Sequence, residues 1–257
     1  VGLMKLINCG CSFAHGHNSK PLDYSPIQQK GLSKTGTKDS DVSAWQSAGW
    51  HLAMDYKMDY IDLARNGNSN EGILRTLRTY LHKNNKEDLF VLIGWTHAFR
   101  REYMSVVVDK NKNEFTQYRE IPSSKSMLKH FVKGSGPMMV EFNERKFRPL
   151  AYETQTEYRQ YNLFLQAQQM LQLYKIPYLM YNACGSEHDS NDREVLELKD
   201  QIDKDCFYQF NEFSFDQYVL KNYKYLSQDG GHPNYKGHFK LAELLKPKFD
   251  TILTKSK

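Results

Sequence analysis

The sequence predicts a single three-layer α/β/α domain, with a mostly parallel central sheet covered by helices on both faces. Three observations predict it. Short apolar runs alternate along the chain with stretches of helical periodicity, the order that builds an open parallel sheet. Leu89 to Ile93 is apolar at every position, as a strand covered on both faces requires. The 257 residues are 40% hydrophobic and 25% charged, ordinary for a globular chain, and the length is compatible with one large α/β domain or two small ones.

The elements follow in order. Met4 to Asn8 reads as a buried strand running into the tight turn Cys9-Gly10-Cys11-Ser12. Residues 15 to 42 read as a long polar loop. From Ser43, the positions Trp45, Ala48, Leu52 and Met54 outline an amphipathic helix. Met58 to Ala64 is a second strand, followed by the turn residues Asn66 to Asn70. Glu71 to Leu81 is helical, with Ile73, Leu74 and Leu77 on one face. After the central strand at Leu89 to Ile93, residues 97 to 150 break the rhythm. There Tyr103 to Val108 and Glu114 to Tyr118 form an inserted hairpin around Lys110-Asn111-Lys112.

Glu153 to Tyr174 is a strong helix, with Tyr161, Phe164, Gln168, Leu171 and Tyr174 at helical spacing. Pro177 to Tyr181 is a further strand. Tyr235 to Leu253 closes the chain with Phe239, Ala242, Leu245, Phe249 and Ile252 on one stripe. The domain is expected to run from 1 to 257, with the insertion at about 97–150.

Composition excludes several classes. With 14 Phe, 17 Tyr and 3 Trp, the chain has the bulky residues that offset ordering entropy and is no disordered tail. A net charge of +5, from scattered Lys and Arg, gives no nucleic-acid footprint. No apolar run approaches the roughly 20 residues of a membrane span, and no secretion signal is laid out at the start. The expected setting is the cytoplasm. Cys9, Cys11, Cys184 and Cys206 form no CxxC pair, so they read as buried thiols and not as a metal cage.

Open parallel sheets place ligands beyond the carboxyl ends of their strands, which directs attention to the turns there. The sharpest is Asp229-Gly230-Gly231-His232-Pro233. A carboxylate three residues before an imidazole, in a glycine-opened turn, can hold the ring in the tautomer that accepts a hydroxyl proton. Ser12, after the first strand, supplies that hydroxyl, since serine needs an adjacent base to become a nucleophile.

These blocks resemble those of the SGNH, or GDSL-like, hydrolases. Gly10-Cys11-Ser12-Phe13 is similar to the family's first block, and Asp229-x-x-His232-Pro233 to its last. Gly67-Asn68-Ser69-Asn70 resembles the second block, with Asn70 where the family has a glycine. Gly94-Trp95-Thr96-His97 resembles the third, with Thr96 where the family has its oxyanion-hole asparagine. This variant looks like a divergent branch associated with viral proteins.

The resemblance implies a serine esterase or deacetylase with the triad Ser12, Asp229 and His232, needing no cofactor and no metal. It implies an oxyanion hole from the main chain of Ser12 and Asn70, helped by Thr96. The substrate would be a small-molecule or carbohydrate ester, contacted by Trp95, His97 and Arg100; neither nucleic acid nor membrane is an expected partner, and the oligomeric state is open. Acyl transfer, or a binding module for a glycan or protein on the same fold, are the other readings.

Each residue also has a plainer one. Ser12 could be a helix N-cap, Asp229 a turn former, and Thr96 a strand-end cap. Arg100 could pair with Glu102, and Cys11 could compete as nucleophile. His238 is expected to face solvent, while His15 and His17 have no carboxylate at ligand spacing.

Overall fold

The computed structural model describes residues 3–16, 46–98, 100–108, 114–121, 149–185, 191–227 and 231–256. Its central sheet contains β1 (Lys5–Gly10), β2 (Asp59–Asp62), β3 (Leu89–Trp95) and β6 (Tyr178–Asn182), all parallel and in the order β2-β1-β3-β6. A separate antiparallel pair, β4 (Arg101–Val108) and β5 (Glu114–Ile121), forms the expected insertion, with Arg101 opposite Ile121. The hairpin's turn at 109–113 lies outside the described residues.

Among the described residues the helices are α1 (Ser12–His15), α2 (Ala48–Asp55), α3 (Asn70–Lys83), α4 (Pro149–Leu173), α5 (Arg193–Asp200), α6 (Phe215–Lys221) and α7 (Tyr235–Lys255). The last four strand and helix boundaries read from periodicity shift by a few residues only. Trp45, in the helix expected from Ser43, lies outside the described residues, and that helix starts at Ala48 behind a Ser47 cap.

Strand residues alternate between two cores, which is what three layers demand. Leu6, Phe90, Leu92, Leu179 and Tyr181 pack with α2, α6 and α7. Ile7, Cys9, Val91, Ile93, Trp95 and Met180 pack on the other face with α3, α4 and α5. The chain leaves β1 in one direction for β2, then crosses back to β3. The strand order therefore switches between β1 and β3, where an α/β sheet opens its crevice.

Three expectations about helix faces need correction. Phe239 is half exposed at 49%, whereas His238 is fully buried. The core stripe of α7 runs His238, Leu241, Leu245, Phe249 and Ile252, one position off the aromatic choice. Tyr174 lies beyond the end of α4 and is 43% exposed. The segment after β6 also carries two helices, α5 and α6, that periodicity does not announce.

Candidate active site

The end of β1 is built for close approach. Gly10 stands opposite Gly94 in register, and a Cβ at Gly10 would come within 2.3 Å of the Ala14 Cβ and 2.8 Å of the Gly94 oxygen. Only glycine lets α1 fold back against β3 there. The turn is then tied from behind. The Asn8 amide donates to the Ala14 oxygen at 2.9 Å, and lies 3.0 Å from both the Tyr60 hydroxyl and Asp62 Oδ1. The Tyr60 hydroxyl meets Ser47 Oγ at 2.7 Å.

Ser12 opens α1 and is almost entirely buried. His232 Nε2 lies 3.1 Å from its Oγ, a hydrogen-bond distance between residues 220 apart in the chain. The imidazole rests on the Phe13 ring, centroids 5.2 Å apart. Its loop is stitched to the segment before it: Ser227 N–H donates to the His232 oxygen at 2.8 Å, and Asn234 N–H to the Tyr225 oxygen. The Asn234 side chain donates to the Lys224 and Leu226 oxygens and accepts from Gly237 N–H, capping α7. Asp229 lies outside the described residues.

Asn70 is the first residue of α3, after the Ser69 cap, whose Oγ accepts from Gly72 N–H. The first amides of a helix have no intrahelical acceptor. Its buried carboxamide forms a reciprocal pair with the backbone of Thr96: Thr96 N–H donates to Asn70 Oδ1 at 2.9 Å, and Asn70 Nδ2 donates to the Thr96 oxygen at 3.1 Å. Nearby, Asn68 Nδ2 donates to the Gly10 oxygen at 3.2 Å. The Thr96 side chain is fully buried, with its hydroxyl against the Cys11 thiol.

Trp95 departs from the expected substrate contact. It is completely buried on the far core, its ring 4.7 Å from Phe164, because strand alternation turns it away from the crevice. His97 is partly exposed, with Nδ1 3.1 Å from the Gly185 oxygen. Arg100 N–H donates to the His97 oxygen, and its guanidinium lies near enough to Cys11 and Cys184 to act on both thiols. Whether Arg100 meets Glu102 falls outside the described side chains.

Cys11, adjoining Ser12, points the other way. Its Sγ lies 3.8 Å from Cys184 Sγ, and both thiols are buried. The Cys184 contact draws the Cys11 thiol downward, while burial pushes Cys184 well up. Burial likewise pushes the Cys9 thiol up.

Two features escape the sequence reading. His15 Nδ1 does find a carboxylate, Asp62 Oδ2 at 2.7 Å, and burial raises the Asp62 carboxyl despite that partner. His17 lies outside the described residues. His238, buried against Phe215 and near His232, His51 and His15, is pushed down to about 3, chiefly by burial. Its two ring nitrogens have no hydrogen-bond partner among the described residues. No helix is long and apolar enough to cross a membrane among the described residues.

No protein-family model matches the chain, and no curated protein matches it. Solved structures do. The psychrotrophic esterase EstA from Pseudoalteromonas sp. is 11% identical, with 97% of this chain and 98% of that one covered and a TM-score of 0.48. A lipase from a goat rumen metagenome is 12% identical over 95% of this chain and 97% of its own, with a TM-score of 0.47. A member of the lipolytic G-D-S-L family from Veillonella parvula is 11% identical over 96% and 98%, with a TM-score of 0.46.

Proposed function

We propose that the protein is a serine ester hydrolase in which Ser12 is the nucleophile and His232 its general base. The observation that carries this reading is the 3.1 Å approach of His232 Nε2 to Ser12 Oγ at the carboxyl rim of a parallel sheet. In the forward step Ser12 Oγ attacks the ester carbonyl carbon while its proton passes to His232 Nε2. The imidazolium then protonates the departing alkoxide as the carbon–oxygen bond breaks. Water repeats the sequence on the acyl enzyme and frees the acid. Asp229, three residues before His232, is assigned to orient the ring and stabilise its charged form.

The oxyanion-hole donors in this reading are the N–H groups of Ser12 and Asn70, each the first residue of a helix. There the first amides have no intrahelical acceptor, and preorganised donors stabilise developing negative charge. Thr96 contributes indirectly. Its backbone is clasped by the Asn70 carboxamide, so the amide side chain near the crevice is already committed. His97 and Arg100, past the end of β3, are the polar groups offered to an acyl ester on a small or carbohydrate-like carrier. No cofactor enters this chemistry.

That committed carboxamide also favours a second reading, a binding module for a glycan or protein with little turnover, since losing one side-chain oxyanion donor costs about 10²–10³ in rate. A fluorophosphonate probe separates the two. Labelling of the parent chain and not of Ser12→Ala, with p-nitrophenyl acetate turnover lost in the variant, supports the hydrolase. An unlabelled parent supports the binder. Turnover equal in parent and Ser12→Ala discards the mechanism.

A further inference from the structure

A second group of reactive side chains gathers beyond the ends of β3 and β6, sharing only His97 with the proposed ester pocket. His97 follows β3, Cys184 follows β6, and Asp216 sits in the first turn of α6. Three separate turns thus deliver an imidazole, a thiol and a carboxylate whose ligand atoms all lie within 4.8 Å of one another.

His97 Nε2 stands 3.8 Å from Asp216 Oδ2, at ion-pair distance but too far for a hydrogen bond. A nitrogen and an oxygen ligand at about 2.0–2.1 Å from one tetrahedral ion stand roughly 3.3–3.4 Å apart, so a few tenths of an ångström of closure would seat both on a shared ion.

Each ligand is also held by its other atom. His97 Nδ1 faces the Gly185 oxygen at 3.1 Å, which accepts the ring N–H and leaves the Nε2 lone pair directed at the group. Asp216 Oδ1 accepts from Gly185 N–H at 2.8 Å, Ser214 Oγ at 2.7 Å and Gln217 N–H at 2.8 Å, leaving Oδ2 for another partner. A ring nitrogen donated to a backbone carbonyl, and a carboxylate fixed by hydrogen bonds, are the supports that metal ligands characteristically have.

We propose that His97 Nε2, Cys184 Sγ and Asp216 Oδ2 bind a divalent transition-metal ion of the zinc class, with one coordination position left open on the side where His97 is exposed. The thiolate excludes the hard cations that prefer all-oxygen shells. On binding, the Cys184 S–H bond breaks, its proton leaves to solvent, and the sulfur–metal bond takes its place. Thiolate and carboxylate together carry two negative charges, which the divalent ion neutralises. The ion would join the turns after β3 and β6 to α6.

Cobalt(II), titrated into the reduced 257-residue chain under argon, provides the test. The expected result is saturation at one equivalent, with a sulfur-to-cobalt charge-transfer band and tetrahedral ligand-field bands that zinc(II) displaces. Cys184→Ser removes the charge-transfer band, and His97→Ala and Asp216→Asn each weaken binding by about tenfold or more. His97 is the most exposed of the three, so its variant keeps the test decidable even if Cys184→Ser fails to fold. No saturable cobalt binding by the parent, or equal binding by His97→Ala, overturns the site. Ser12→Ala is expected to bind cobalt as the parent does, so loss of the ester-hydrolase reading would leave this result standing.

Discussion

Cys11 and Ser12 are neighbours in the chain, yet they look in opposite directions. Ser12 meets an imidazole from the far end of the sequence, whereas Cys11 meets another thiol inside the core. The intrinsically stronger nucleophile packs against a second thiol; the weaker one has an imidazole nitrogen at hydrogen-bond distance. In the proposed reading, what each side chain faces sets its reactivity. The bend into α1, made possible by Gly10, decides which atom faces the crevice.

Substitutions on the two sides sharpen this contrast. The largest effect is expected for His232→Ala, which removes the base from the hydroxyl side. Turnover of p-nitrophenyl acetate should fall by about 10⁴-fold with an unchanged circular-dichroism spectrum. A fall of less than tenfold would detach Ser12 from its assigned partner.

Asn70→Ala comes next. It leaves the Thr96 N–H and oxygen unpaired in a buried place, and should cost about 3 kcal/mol in urea unfolding. Loss of stability with no loss of turnover would limit Asn70 to a clasp.

A smaller effect concerns acid. His238 is held near 3 in the folded chain, below its unfolded value of about 6.5. The unfolded state therefore binds the extra proton first as pH falls, and stability is full above 6.5 and declines below it. His51, pushed down to about 4 by burial, acts in the same direction. Replacing His238 with Leu should flatten the decline between pH 7 and 5 by on the order of 2 kcal/mol, read as melting temperature against pH.

The smallest change is expected on the thiol side. Cys11→Ala should keep ester turnover within about fivefold of the parent and lose a modest amount of stability, about 1 kcal/mol, for the buried sulfur. A collapse of turnover in that variant would reverse the comparison.

The sheet was legible because its strands are short, apolar and bounded by turn residues, so a period of two and a continuous run gave them away. The hydroxyl and the imidazole were legible as motif residues at strand ends. Helix faces were less so. His238 and Phe239 sit one residue apart, and hydrophobicity favours the phenyl, yet the stripe of α7 with Leu241, Leu245, Phe249 and Ile252 fits the imidazole. Trp95 was misplaced because a motif says nothing about which sheet face a side chain takes; counting alternation from the buried Val91 and Ile93 would have turned it inward.

The residues around Asp216 were missed for another reason. Helices α5 and α6 have 8 and 7 residues, too short for periodicity to register, although Asp192 and Ser214 stand at their starts as capping residues do. Asp62 was invisible as a partner of His15 because the two meet only through the packing of β2 against β1.

The 3.1 Å contact between Ser12 and His232 also has a bearing on how the chain matures. Synthesis delivers the hydroxyl first and the imidazole 220 residues later, so a growing polypeptide holds a complete β1, β2 and β3 long before it holds a base. In the proposed reading, reactivity toward esters would then be switched on by the docking of the loop that carries His232 ahead of α7, and a nascent chain would stay chemically silent until that loop had found its place.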